Sequence, residues 1–208
     1  MGYTNLIKLT GKVRNIKERD SEHVVLTILS FNGVERDGRK HDIFPHCICR
    51  KDLLPPSILS GDKVRVSVSG HFERSIRNLR GKKVPSQQII VDTIEEDTTM
   101  AEKAFGKKGK FYNEYAIKAY LSGPVVKFTT EQHKNGREWA RIVVNTGGTV
   151  DDEKNSLSMS MPVPDRMPEI KVGDVIYCVC NMDTPEKMFE GKRERYEDIL
   201  VMDIAIDK

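Results

Sequence analysis

The chain has 208 residues, 38% of them hydrophobic and 31% charged, with a formal net charge of +3. That length and composition permit a packed core in one large domain or two small ones. No apolar run reaches the roughly 18 residues a membrane helix needs, and the opening MGYTNLIKLTGK has neither a long apolar core nor a small-residue cleavage site. Leu6 stands where a myristoylation signal needs Ser or Thr, so a cytoplasmic protein with no membrane attachment is expected.

In chain order, short apolar or alternating runs cover about 5–18, 23–32, 41–50, 62–73 and 86–95, then 115–129, 137–145, 156–163, 174–183 and 196–206. Turn-forming stretches such as FNGVERDG, SGD, LRGKK, KNG and NTGG separate them. Between the third and fourth runs of each set lie DLLPPSIL and PDRMPEI, whose prolines limit either to about one helical turn. The segment DTTMAEKAFGKKGKFYN (97–113) is polar and basic and reads as a linker; its GKKGK lacks the spacing of a phosphate-binding loop.

The two sets of runs repeat each other. Leu9, Gly11 and Val13 match Leu121, Gly123 and Val125, and Gly61 and Asp62 match Gly173 and Asp174, all at an offset of 112. LRGKK (Leu79 to Lys83) matches FEGKR (Phe189 to Arg193) at an offset of 110, and each precedes a last apolar run. Five strands with a short insertion before the fourth, in about 95 residues, fit an OB-fold barrel, with an SH3-like barrel or half of a sandwich as alternatives. The expected fold is therefore all-β, with two tandem five-stranded OB-fold barrels. Their bounds are 1–97 and 113–208, with a linker at 98–112. Lys+Arg against Asp+Glu is 17 to 13 in the first, 4 to 1 in the linker and 13 to 17 in the second. A basic unit joined to an acidic one suggests two different jobs, although two solvated surfaces can differ this much by chance.

Side chains alternate across a strand. In the first strand Ile7, Leu9, Gly11 and Val13 share the inward face, leaving Lys8, Thr10, Lys12 and Arg14 outside. In the fourth, Val64, Val66 and Val68 point in, and Lys63, Arg65, Ser67 and Ser69 point out. The second strand is apolar on both sides, so either Val24, Leu26 and Ile28 or Val25, Leu29 and Phe31 could face the core. Phe44, His46, Ile48 and Arg50 share one face of the third. In the second unit Ala119, Leu121, Gly123 and Val125 face in, as do Ala140, Ile142 and Val144, with Trp139 and Arg141 outward. Ile176, Cys178 and Cys180 replace the inward valines, and Val175, Tyr177 and Val179 replace the outward Lys63, Arg65 and Ser67. An apolar outer stripe marks a contact surface, facing the first unit, the linker or a second copy in a homodimer.

No catalytic constellation is present. Cys47/Cys49 and Cys178/Cys180 form two C-x-C pairs, and a four-cysteine zinc site is the sharp reading of them. Two of the four stand where the other repeat has valine, so packing as small hydrophobes accounts for them better. His23, His41, His46, His71 and His133 have no ligand spacing, and Asp151-Asp152-Glu153 reads as a solvated turn. No metal, no cofactor and no enzymatic activity are expected.

Binding signals are positive. GVERDGRK carries Arg36, Arg39 and Lys40, and FERSIRNLRGKK carries Arg74, Arg77, Arg80, Lys82 and Lys83 with Glu73 as the one local acid. OB-folds bind oligonucleotides across strands two and three, gripped by such loops. Cations neutralise phosphates, and exposed aromatics stack bases. Phe31, Phe44, Phe72, Trp139 and Tyr196 are the candidate stackers. Against this, a lone Phe on a strand is more often core, and Phe72 is in register with the inward Val68. Lys12, Arg14, Arg50, Arg65, Arg141, Lys192 and Arg193 complete the candidate contact set.

NLIKLTGKV (5–13), FPHCICRKDL (44–53) and SGDKVRVSVSGHFERS (60–75) together resemble the first, third and fourth strands of the bacterial single-stranded DNA-binding protein family. The resemblance covers most of 5–95 and, more weakly, 113–206. It implies that Phe44 or a neighbour stacks a base and that Arg74 and Arg77 contact phosphates. The chain departs from the family pattern in carrying two folds, in Pro55 and Pro56 cutting the helix, and in ending at VMDIAIDK without an acidic-tipped tail that recruits partners. The expected function is single-stranded DNA binding with little sequence preference, in replication, recombination or mobile-element DNA processing, with replication or recombination proteins as further partners. The rival is an OB-fold protein-interaction scaffold with little nucleic-acid affinity, and RNA binding is a third option.

Overall fold

Alternating sequences place one face of every strand against a core, and five such strands exhaust their edges only by closing on themselves. The computed structural model shows two such closures and describes residues 3–36, 39–59, 64–79, 82–97, 117–132, 136–147, 155–163, 168–189 and 191–207.

The first half supplies β1 (Asn5–Glu18), β2 (His23–Arg36), β3 (Arg39–Ile43), β4 (His46–Arg50), β5 (Arg65–Leu79) and β6 (Lys82–Glu96). β1 pairs antiparallel with β2 and β5. β2 pairs antiparallel with β4, β4 pairs parallel with β6, and β5 neighbours β6. That circuit is closed, and β3 adds a hairpin to the end of β2. Between β4 and β5 a 3-10 turn (Lys51–Leu53) leads into α1 (Pro56–Leu59), a single turn whose Ile58 N–H donates to the Pro55 carbonyl. The paired prolines keep it that short.

The second half supplies β7 (Ile117–Gln132), β8 (Glu138–Asn145), β9 (Ser156–Pro162), β10 (Val175–Asp183), β11 (Glu186–Phe189), β12 (Lys192–Arg195) and β13 (Asp198–Asp207). β7 pairs with β8 and β10, β8 with β9, and β10 with β13, all antiparallel. β9 and β13 close the circuit in parallel, at Ile199↔Met159 and Leu200↔Ser160. Both circuits run first–second–third–fifth–fourth strand, the OB-fold connectivity. The chain is all-β, with two tandem OB-fold barrels.

Two backbone details recur at the same repeat position. β1 shifts register between Val13 and Asn15, and β7 between Val125 and Lys127, so each long first strand bends where it passes from one partner to the other. Just before each bend stands a glycine. A Cβ on Gly11 would lie 2.3 Å from the Leu29 carbonyl oxygen, and one on Gly123 would lie 2.1 Å from that of Asn145. The close crossing of the strands, not a turn, requires these glycines.

Ile7, Leu9, Val13, Val66 and Val68 are buried, as are Ala119, Leu121, Val125, Ala140, Ile142, Val144, Ile176, Cys178 and Cys180. On β2 the ambiguity resolves with Val24, Leu26 and Ile28 inside. Packing divides the chain into two compact units. One comprises Ile7–His71 and Gln88–Lys118; the other comprises Met1–Leu6, Phe72–Gln87 and Ala119–Lys208. The second barrel thus shares its unit with the outer ribbon of β5 and β6. The linker at 98–112 lies outside the described residues.

Candidate nucleic-acid interface

In the first barrel, β2 and β4 present a continuous outer face. Val25 sits opposite Ile48 and Thr27 opposite His46, with Lys17 and Asn15 of β1 alongside. Phe44 and His46 are half-buried, Lys12 is half-buried, and Arg14 is exposed. Arg50 is exposed at the end of β4 but already engaged: its Nε donates to Asp52 Oδ1 at 3.0 Å and its Nη2 pairs with Asp52 Oδ2. This fork lowers the Asp52 pKa from its usual range and raises that of Arg50. A phosphate at Arg50 must therefore compete with Asp52.

Three candidate contact residues are not on the surface. Phe31 is 8% exposed, at the end of β2 where β3 pairs with it in register at Phe31↔Asp42. It cannot serve as an open stacking platform. Arg65 is 9% exposed, at the start of β5, where the Asp97 N–H at the end of β6 donates to the Arg65 carbonyl at 3.0 Å. Phe72 is fully buried, as its register with Val68 implies.

The other unit carries the more developed site. β8 alternates cleanly: Ala140, Ile142 and Val144 are buried, so Trp139, Arg141 and Val143 share its outer face. That face continues onto β9 through Trp139↔Pro162, Arg141↔Ser160 and Val143↔Ser158. Beside it lies a cleft of about 250 Å³ that brings together Arg74 and Gln87 of the ribbon, Arg141 of β8, and Tyr196, Glu197 and Asp198 ahead of β13. Arg74 and Tyr196 are half-buried, Arg141 is exposed and Glu197 is buried. Asp198 Oδ1 accepts from Ser160 Oγ at 3.2 Å. Two guanidinium groups and a phenol ring thus line one polar cleft, with Trp139 one position along the same strand face. Cations of this kind bind phosphate oxygens and such rings stack bases, while the two carboxylates formally balance the two guanidinium charges.

Arg74 and Arg141, candidates from distant parts of the sequence, therefore meet, and Tyr196 joins them. Lys83 is exposed on the ribbon. For Arg36, Arg39, Lys40, Arg77, Lys82, Lys192 and Arg193 only the backbone is described, and Arg80 and Lys63 lie outside the described residues. Sequence reasoning misses Gln87, Asn5, Glu197 and Asp198. Their neighbours are remote in the chain and no local pattern marks them.

On the outer face of β10, Tyr177 is 49% exposed, with Val175 and Val179 half-buried and Tyr120 of β7 exposed opposite Val179. All four cysteines are buried free thiols. Burial, and then the Asp52 charge, raise the Cys49 pKa from 9.0 to about 11. The hydrogen bond with Cys178, and then burial, raise that of Cys180. Among the described residues no cluster of three metal-ligating side chains occurs.

These features define a double OB-fold chain with a polar cleft lined by Arg74, Arg141 and Tyr196 beside Trp139. No protein-family model matches the sequence, and no curated protein does either. Among solved structures the chain is similar to the wild-type single-stranded DNA binding protein from Thermus aquaticus, at 11% identity and a TM-score of 0.63, covering 100% of this chain and 95% of that one. A deletion mutant of that protein matches at 10% identity and a TM-score of 0.66, covering 100% and 96%. The likeness extends over both barrels and is one of fold.

Proposed function

We propose that this chain binds single-stranded DNA with little sequence preference, as a cytoplasmic binding protein rather than an enzyme, in replication, recombination or mobile-element DNA processing. The observation that carries this reading is the cleft in which Arg74, Arg141 and Tyr196 converge beside Trp139. It lies where OB-folds take oligonucleotides, across strands two and three. The fold shared with a protein named for binding single-stranded DNA supports the same reading. Low preference follows from the contact types: phosphate neutralisation and ring stacking recognise features common to all bases.

The test is a titration of labelled oligo-dT followed by anisotropy, with fluorescence of the sole tryptophan, Trp139, as a second readout. Binding at micromolar or tighter concentration that weakens with salt, and weakens further in Arg74→Ala/Arg77→Ala/Arg80→Ala, is the expected result. No binding at low salt overturns the reading. A parallel oligo-rU titration separates DNA from RNA preference.

A second reading is a protein-interaction scaffold, favoured by the exposed Tyr177 on the apolar outer face of β10. It predicts association through Val175, Tyr177 and Val179, with a second copy or a replication or recombination protein, and negligible affinity for oligo-dT.

A further inference from the structure

The ribbon segment Phe72–Gln87 belongs to the unit of the second barrel, and a carboxamide side chain acts at each of its ends. At the exit end, Gln87 makes two hydrogen bonds to one residue of β9. Its Nε2 donates to the Ser158 carbonyl at 2.9 Å, and its Oε1 accepts from the Ser158 N–H at 2.9 Å. Gln87 is 9% exposed and lies 71 residues from Ser158. At the entry end, Asn5 makes the same kind of pair with Phe72: Nδ2 donates to the Phe72 carbonyl at 2.8 Å and Oδ1 accepts from the Phe72 N–H at 3.0 Å. The Asn5 Nδ2 also donates to Thr146 Oγ1, at 3.4 Å, just after β8.

A primary amide reproduces the donor and acceptor of a peptide group, so each of these side chains stands in for a neighbouring strand residue. Ser158 needs such a partner, because the parallel pairing of β9 with β13 covers only Met159 and Ser160. Gln87 therefore closes the open end of the β9 edge and, with the same two bonds, fixes the ribbon. The ribbon residue that lines the cleft with a charge is Arg74, on the strand facing Gln87's own; the Ser75 hydroxyl, next in sequence, points at the Ser86 carbonyl, 3.5 Å away.

We propose that Gln87 is a positioning residue for single-stranded nucleic acid. It touches no phosphate; it holds the basic ribbon on β9 so that Arg74 stays in the cleft with Arg141. This inference rests on the DNA-binding reading above. It adds to that reading a residue whose loss takes Arg74 out of the cleft while leaving every cation in the chain.

The test compares wild type with Gln87→Ala and with Gln87→Met, which keeps the side-chain length and burial without either hydrogen bond. Hydrogen exchange at the Ser158 amide reports the clamp without any DNA, and both variants are expected to exchange there on the order of tenfold faster. Oligo-dT binding is expected to weaken by roughly tenfold, with the salt slope falling by about 0.7 for the phosphate that Arg74 ceases to neutralise. In an Arg74→Ala background the Gln87 substitutions are expected to add little, because both remove one interaction. That non-additivity separates positioning from general destabilisation. Wild-type affinity and salt slope in both variants, full additivity with Arg74→Ala, or unchanged Ser158 exchange would each overturn the proposal. Failure of the wild type to bind oligo-dT instead overturns the functional reading, and the positioning role falls with it.

Discussion

The fourth strands of the two barrels have the same place in the circuit and opposite surfaces. β5 presents half-buried Ser67 and Ser69 after the covered Arg65, whereas β10 presents Val175, Tyr177 and Val179, with Tyr177 open to solvent. Their inward faces hardly differ: Val66 and Val68 on one, and Ile176 and Cys178 at the matching register on the other, all buried. The glycines beneath, Gly11 and Gly123, do not differ at all. Positions fixed by backbone approach are kept, positions fixed by volume vary within size, and outward positions are free to change role.

The largest expected effect tests the first of these statements. Gly11→Ala and Gly123→Ala each drive a methyl group into a main-chain carbonyl, at 2.3 and 2.1 Å. Each substitution should destabilise its barrel by on the order of 3 kcal/mol, measured by denaturant unfolding. A mild effect at one site and a severe one at the other would end the equivalence of the two crossings.

Next come the two candidate stacking faces. Trp139→Ala should weaken oligo-dT binding by about 1–3 kcal/mol, the range for removing one base stack, with a smaller change for Phe44→Ala. The difference follows from the cleft beside Trp139; equal changes would mean that both barrels carry DNA alike. Tyr177→Lys restores a charge to the outer face of β10. Stability should change by no more than about 0.5 kcal/mol, as for other exposed positions, and oligo-dT affinity should hold, while any self-association seen by sedimentation should disappear. Loss of DNA binding in this variant would move the interface onto β10.

The smallest effect is a pH effect. Cys49 ionises near its ordinary value of 9.0 in the unfolded chain but only at about 11 in the folded one. Stability from this site is whole below pH 9 and declines between pH 9 and 11, because only the unfolded state releases the proton there. Thiol reagents at pH 8 should leave all four buried cysteines unmodified in the native chain. Rapid modification confined to one pair would show that its barrel opens more readily.

Much of this was legible in the sequence. Ten alternating runs and a repeated glycine give the two barrels, and Val68 in register with Phe72 predicts a core phenylalanine. Arg65 misleads because alternation gives the side of the sheet but not how far the surroundings bury it, and Arg65 is 9% exposed. Phe31 misleads for the same reason, at 8% exposed where β3 pairs with β2. The basic segment is visible as composition, but its placement depends on Gln87 meeting Ser158, and a single glutamine whose partner lies 71 residues away has no periodicity to betray it. Arg74, Arg141 and Tyr196 could each be named, yet their convergence is a property of the tertiary fold alone.

The compact unit holding the second barrel is assembled from three stretches, Met1–Leu6, Phe72–Gln87 and Ala119–Lys208. A ribosome releases the ribbon before β9 exists, so Gln87 waits for Ser158 through the synthesis of the next 71 residues. The same arrangement governs dissection. A fragment ending at 97 carries the ribbon without the strand that receives it, and a fragment starting at 113 carries β9 with Ser158 uncapped. The expected outcome of separate expression is a first half with a sticky, protease-sensitive ribbon and a second half prone to pair along its open edge, both relieved on mixing the two.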